Sequence, residues 1–471
     1  CCRQFVALVR HRPSVTGHRA ALLVVHQNQG HVVVSLRCVS CHWIESRARF
    51  RQCKCAWEVV LRAAASSAIV RPEHYPFPAM EMPAVVTDSP RPTPLLFTPL
   101  ELRGVTVRNR IVISPMATYS AAEGMAMDWH TVHLGQYALG GAGLIFMEAT
   151  AVQKRGRITH GDVGLWHDGQ IGPIAKIVHF LKEHGAVAAV QLAHGGRKAS
   201  MQRPWNGNGP LDDGDLARGD LQWQPVGPSA VPVNDDWVVP EALSTGEIAE
   251  LVDDFAAAAR RALAAGFDIA EVHGAHGYLI QSFLSPIGNQ RNDAYGGDRT
   301  GRMRLALEVT EAVRAVWPDD KPLFFRISSV DGIEGGWEIE DSVAFAKELK
   351  ALGVDVIDCS SGGIVGAVTA ASVKRQPGYQ VPFAEQVRRE AKLMTQAVGL
   401  ITHGQQAEAI LQAGQADLIA IGREALTDPY WPLRAAEFLG CDPEMEHWPV
   451  QYGWWLTRRK RHSVFYKPVS N

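Results

Sequence analysis

Residues 271–286 read EVHGAHGYLIQSFLSP, in which an apolar run ends in two histidines three residues apart, His273 and His276, followed by Tyr278. Phe267, Ile269 and Val272 alternate after an Ala-rich helical stretch, the pattern of a parallel strand entered from a crossover helix. His273, His276 and Tyr278 therefore leave the carboxyl end of that strand together, the edge at which an α/β barrel carries its chemistry. Two imidazoles can donate hydrogen bonds to one carbonyl or nitro oxygen, and a phenol beside them can give up a proton. The same short pattern also suits satisfied structural histidines or half of a metal site.

Outward from this stretch, short β-branched runs alternate with amphipathic helical runs from Leu95 onward. After a small hairpin, LELRGVTVRN with Gly104 at its turn, strands are expected at Ile111–Ser114, Gly143–Glu148, Ala186–Leu192, Phe267–His273, Pro322–Ser328, Val354–Ser360, Ala397–Ile401 and Leu418–Ile421. Helices are expected at Ile171–His184, Ser244–Ala265, Arg302–Val316, Ile339–Leu352, Phe383–Ala391 and Gln405–Ala413. Ser244 and Glu247 make a capping box, and Gly266 ends that helix. Eight strands, each followed by a helix, over about 340 residues predict an α/β protein of the (β/α)8 TIM-barrel type with an N-terminal hairpin cap. The long insertion after strand three, from Gly196 to Leu243, is rich in Gly, Pro, Asp and Trp and is expected to pass over the mouth. A doubly wound open sheet is the alternative, but no G-x-G-x-x-G follows the first strand.

Composition sets the outer limits. A chain of 471 residues with 46% hydrophobic and 20% charged content has material for a large core. Its net charge of -2 points away from nucleic acid or membrane as a partner of the body, and no apolar run approaches the roughly 18 residues of a bilayer span. Six of the eight cysteines (Cys1, Cys2, Cys38, Cys41, Cys53, Cys55) fall in the first 55 residues, leaving Cys359 and Cys441 for the rest. Two distant cysteines make no disulfide framework, so a reducing, cytoplasmic setting is expected.

Residues 1–79 are Arg-rich and acid-poor, and the first methionines, Met80 and Met82, stand at the head of a Pro-rich linker over 80–94. A start at one of these methionines is expected, with residues 1–79 a spurious or disordered extension. An organellar targeting segment is one alternative. A small zinc module is another, drawn from Cys38, Cys41, His42, Cys53 and Cys55, whose second pair has one intervening residue. Leu22–Val25 and His31–Leu36 read as stray strands without partners.

At the carboxyl ends of the expected barrel strands the polar and glycine residues are Ser114-Pro115-Met116-Ala117, Glu148-Ala149-Thr150, Gln191 to His194, His273 and His276, Arg326, Ser360-Ser361-Gly362-Gly363, Gly399 and Gly422-Arg423. Together they suit a planar ligand carrying a phosphate. Backbone N–H groups at Gly362, Gly363, Gly399 and Gly422 and the charge of Arg423 supply a phosphate site. Gln191 can bond an amide-like ring edge, and Arg326 can face the part of a flavin that becomes negative on reduction. Alternatively, Arg326 forms an interior ion pair with Glu271 or Glu148.

These residues sit in strings that identify a family. LFTPLELRGVTVRNRIVISPM, HLGQYALGGAGLIFMEATAV, AAVQLAHGGRKAS, EVHGAHGYLIQSFLSPIGNQRNDAYGG, LFFRIS, VIDCSSG, GYQVPFAEQVR and ADLIAIGREALTDPYWP make residues 95–440 resemble the Old Yellow Enzyme family of FMN-dependent ene-reductases, in particular its bacterial, tetramer-forming branch. The resemblance implies non-covalent FMN held by Ser114, Pro115, Met116, Ala117, Ala149, Gln191, Arg326, Ser361, Gly362, Gly363, Gly399, Gly422 and Arg423. It implies NADPH or NADH as reductant and activated alkenes (enones, maleimides, nitroalkenes) as substrates, reduced in ping-pong fashion by hydride from flavin N5. His273 and His276 would hold the substrate's electron-withdrawing group, Tyr278 would protonate the α-carbon, and Tyr119 would contact the substrate. One departure stands out: the branch commonly has cysteine after SPM, where this chain has Ala117, with Thr118 as a substitute donor. That change is expected to alter the flavin potential and the balance of the half-reactions.

The tail HWPVQYGWWLTRRKRHS, within residues 441–471, resembles that of the branch, which reaches into a neighbouring subunit's site. Trp454, Trp455 and Arg458 are the residues for that reach, so a homo-oligomer, dimer or tetramer, is expected. The alternative is a tail packed on its own barrel, and Arg458 to Arg461 read as a solvated end. Three rival functions are separable. A dienoyl-CoA reductase with an iron-sulfur module needs clustered cysteines after the barrel, where only Cys441 stands. A flavin-binding sensor would be yellow but not bleached by NADPH. A zinc hydrolase would be colourless and needs a third ligand, for which His194 belongs to another strand.

Overall fold

The computed structural model describes residues 4–9, 21–28 and 31–38 as strands, and residues 93–366 and 373–460 in full. The chain divides into two compact units, Cys1–Asp88 and Ser89–Asn471. In the first, Gln4–Val9, Ala21–Asn28 and His31–Cys38 pair as a three-stranded antiparallel sheet. The strands read as stray in the sequence thus pair with one another. Cys41, His42, Cys53, Cys55, Met80 and Met82, the linker up to residue 92, and residues 461–471 lie outside the described residues.

The second unit is a closed barrel of eight parallel strands. In chain order these are β1 (Ile111–Ile113), β2 (Leu144–Ala151), β3 (Val187–Ala193), β4 (Ile269–Gly274), β5 (Leu323–Ser328), β6 (Val356–Ser360), β7 (Met394–Ala397) and β8 (Leu418–Ile421). The helices that follow them are α1 (Asp128–Leu139), α2 (Ile171–Glu183), α3 (Thr245–Ala264), α4 (Arg299–Val316), α5 (Ile339–Ala351), α6 (Val381–Ala391), α7 (Gly404–Gln412) and α8 (Trp431–Leu439). The strands are buried on both faces and therefore read as near-continuous apolar runs. The expected (β/α)8 TIM barrel is the fold observed.

Boundaries moved where a local constraint overrode the apolar pattern. β7 was expected at Ala397–Ile401 but ends at Ala397, because Gly399 (φ 118°) and Leu400 (φ 51°) adopt left-handed conformations that no strand accommodates. β2 runs past Glu148 to Ala151 through a register shift between Met147 and Ala149, a bulge at the acidic residue. α4 begins at Arg299 because Asp298 caps it, accepting from Gly301 N at 2.9 Å. α3 carries the expected capping box of Ser244 and Glu247.

The amino-terminal end of the barrel is an apolar floor of Val112, Phe146, Ala189, Ile269, Phe324, Val356 and Leu418. The hairpin Leu100–Leu102 and Val105–Val107 sets Leu102 and Val107 into the same cluster and caps that end. No helix among the described residues is long and apolar enough to cross a membrane. Phe146 and Phe324 meet with ring centroids 5.8 Å apart, both fully buried. Phe324→Ala should therefore cost about 3–5 kcal/mol of unfolding free energy, whereas Ser244→Ala, removing one cap, should cost about 1 kcal/mol, both read by denaturant titration.

Candidate active site

Strand register decides which side chains meet at the other end. Glu271 pairs with Gln191, His273 with Arg326, Arg326 with Asp358, and Asp358 with Gln396. Five adjacent strands, β3 to β7, thereby bring two carboxylates, one guanidinium and two amides together inside a closed barrel. Arg326 Nε lies 3.0 Å from Asp358, yet neither it nor either Asp358 oxygen has an aligned hydrogen-bond partner, so the pair is held by charge rather than by a directed bond. The sequence offered Glu271 or Glu148 as the partner of Arg326. The structure gives Asp358 instead, because its strand is the other neighbour of β5 at that level. Gln191 donates to Glu271 at 2.8 Å. Burial and the neighbouring Asp358 push the Glu271 carboxyl well above the carboxylate range, and burial raises Asp358 too.

Above this layer stand the two histidines and the tyrosine. His273 and His276 rings lie 5.2 Å apart, His273 and Tyr278 5.2 Å, and His276 and Tyr278 6.4 Å. Burial and the charge of Arg326 hold both imidazoles well below the usual histidine value, so they are neutral. Burial raises the Tyr278 phenol, which stays protonated. Tyr119, Ala149 and Tyr278 belong to one buried cluster against which Ala117 packs, so four sequence-selected residues converge. Thr118 donates its N–H to Glu148, which also contacts His130 Nε2 at 3.2 Å.

A cavity of about 160 Å³, open to solvent, lies beside this group, between Arg326, Ser360, Gln380, Gly399, Gly422 and Arg423. Gly362 and Gly363 have φ of 70° and 93°, and a Cβ at Gly363 would stand 2.6 Å from His276 Cα. Ser114 Oγ and Thr118 Oγ1 are buried without partners, and Ser361 Oγ donates to Gln380 at 2.6 Å. Met116 borders Gly422, its Sδ 3.5 Å from where a Cβ would be, and Pro115 links it to Ser114. Trp454 and Trp455 are not brought here: they are exposed on the helix Val450–Lys460, and Arg458 stacks 3.2 Å over Trp454.

Several residues of this region were not singled out from the sequence. Lys198, fully buried, donates to His276 O at 3.0 Å and also to Gly363 O. Arg197 donates to Ile364 O and, at 3.1 Å, to Pro232 O. Two consecutive cations in a loop leaving a strand were the available signal. Asp358, a charge inside the apolar run VIDCS, was another. Gln380 carried no signal.

A family model described as the NADH:flavin oxidoreductase / NADH oxidase family matches residues 95–440. The chain belongs to that family. It is 46% identical over 364 residues to an NADPH dehydrogenase of Geobacillus sp. (strain WCH70), covering 76% of this chain and 98% of that one. The NADPH dehydrogenase of Bacillus subtilis (strain 168) is 44% identical over 363 residues, covering 76% and 99%. The solved structure of morphinone reductase superimposes with a TM-score of 0.60 at 29% identity, over 75% of this chain and 91% of that one. The Old Yellow Enzyme resemblance thus stands, and the protein is an FMN-dependent oxidoreductase that uses a nicotinamide reductant. Orphaned Ser114 and Thr118 hydroxyls, an unaligned Arg326 guanidinium and a glycine-bordered cavity ending at Arg423 fit such a group.

Burial and the adjacent Arg197 bring the Lys198 ammonium down to about 7. The folded-state value lies below that of the unfolded chain, so from about pH 7 upward the unfolded chain holds the extra proton, and this group's contribution to stability rises with pH. Lys198→Met should abolish that rise. Chemical denaturation of both proteins from neutral into alkaline pH checks it: equal slopes would contradict the assignment.

Proposed function

We propose that this protein is an ene-reductase that takes electrons from NADPH and reduces activated C=C bonds in enones, maleimides and nitroalkenes. The observation that carries the reading is the trio of His273, His276 and Tyr278, mutually within 6.4 Å at the carboxyl ends of the barrel strands and beside the cofactor cavity.

Residues at the carboxyl ends of the strands would hold the cofactor. Gln191, oriented by its bond to Glu271, would bond the polar edge of the ring system, and Arg326 would supply positive charge to it. Ser114, Pro115, Met116, Ala117 and Ala149 would line the flavin, while Ser361, Gly362, Gly363, Gly399, Gly422 and Arg423 would hold the phosphate. FMN, when bound, supplies the hydride that it has received from NADPH. His273 and His276, both neutral, donate N–H to the substrate's carbonyl or nitro oxygen and stabilise the negative charge that grows there. Tyr278, kept protonated by burial, delivers its proton to the α-carbon. Tyr119 closes the pocket from the β1 loop, with its ring 6.0 Å from that of Trp205. Exposure of Trp454 and Trp455 supports a homo-oligomer, dimer or tetramer, in which they reach a second copy. The free cysteines Cys359 and Cys441 support a cytoplasmic setting.

The purified chain should be yellow, lose its colour to NADPH without oxygen and regain it with 2-cyclohexenone. Tyr278→Phe should slow reoxidation by the enone on the order of 10²-fold while NADPH still bleaches the flavin. A protein that stays colourless with excess FMN would sink the reading, and one that NADPH cannot bleach would favour a non-catalytic flavin binder. Ala117→Cys should shift the flavin midpoint potential, measured by dye-coupled titration.

A further inference from the structure

We propose that Ser360 is a positioning residue that fixes the tautomer of His276, directing the ring proton to Nδ1 so that Nδ1 is the donor offered to the substrate oxygen. The role toward substrate rests on the function proposed above. The tautomer itself rests on the geometry alone.

His276 Nε2 lies 2.7 Å from Ser360 Oγ. A hydroxyl carries one proton and must either donate it to this nitrogen or accept from it. The other acceptor within reach, Gln380 Oε1, is 3.5 Å away, beyond the normal O–H···O range. That oxygen already accepts from Ser361 Oγ at 2.6 Å. The Ser360 proton therefore goes to Nε2, which must be bare, and a singly protonated imidazole then carries its hydrogen on Nδ1. Double protonation is opposed by burial first and then by the charges of Arg326 and Lys198 and by His273.

The backbone that carries the ring is held on both sides. The main-chain N–H of His276 donates to Ser328 Oγ at 3.0 Å, and Ser328 in turn donates to Gly362 O at 2.7 Å. The carbonyl of His276 accepts from Lys198 Nζ at 3.0 Å. The residue itself has φ 62°, a left-handed conformation that non-glycine residues hold only when such contacts impose it. His273 differs: its Nδ1 is buried with no partner, so no side chain selects its tautomer. The two imidazoles are thus unequal, one committed in advance and one adapting to what binds.

The test uses the full-length, FMN-loaded protein with ¹⁵N-labelled histidine, its long-range ¹H–¹⁵N spectrum read without substrate, and His276→Gln to identify the signals. The expected wild-type pattern is a protonated Nδ1 and an acceptor Nε2 at His276. Ser360→Ala should move the proton to Nε2 or to a mixture of both, and raise KM for 2-cyclohexenone about tenfold with a smaller change in kcat. Ser360→Thr, which keeps the hydroxyl, should restore both, and the visible spectrum of each variant reports that FMN is still held. A wild-type His276 protonated on Nε2, or a pattern unchanged in Ser360→Ala, would overturn the proposal. Failure of the yellow wild-type protein to reduce cyclohexenone would instead overturn the proposed reaction, and is told apart because the nitrogen signals are read with no substrate present.

Discussion

The site depends on three adjacent strands of the barrel, in which β4 hydrogen-bonds to β3 on one side and β5 on the other. Parallel register there is strict, since a slip of one residue would turn every side chain to the opposite face. It places Gln191 beside Glu271 and His273 beside Arg326 without any further device. The apolar floor beneath does the stabilising, so the upper layer is free to hold groups that burial disfavours.

Those groups are costly. Glu271, Asp358 and Arg326 are all buried, their mutual bonding is incomplete, and both carboxyls are shifted upward. Asp162, also buried, is raised to about 7 despite accepting from Ile158 N and Thr159 N. Buried polar atoms without partners are rare in folded proteins and mark places where a ligand completes the bonding. Ser114 Oγ, Thr118 Oγ1 and His273 Nδ1 all belong to this class, and all lie in segments that end barrel strands or follow them. The incomplete bonding of the layer fits a polar, planar cofactor.

Much of this was legible in the residues. Periodicity and turn chemistry located eight strands, and the strand ends named His273, His276, Tyr278, Gln191 and Arg326, because in a parallel barrel the position of an end follows from the position of the run. What periodicity could not supply was the partner of any side chain. Arg326 was offered Glu271 or Glu148 and took Asp358, a choice set by which strand lies alongside at that height. β7 was displaced because Gly399 and Leu400 are apolar by composition but left-handed by conformation. Ser360, named only as a strand end, and Lys198, signalled only as one of two consecutive cations, act through contacts that the fold alone brings together, and Gln380 offered no pattern at all. Trp454 and Trp455 were legible only as an aromatic tail, and the terminal helix leaves both facing solvent.

The Lys198 clip ties together three loops that follow different strands. Its ammonium grips the carbonyls of His276 and Gly363 at once, and neither neighbouring glycine admits a methyl group, Gly277 because of Gly363 O and Gly363 because of the His276 backbone. Substitutions at these three places will not combine by simple addition, because each alters the surface against which the others rest. Reshaping the pocket is therefore a problem of paired or triple changes. A library built from single substitutions would undersample the viable combinations.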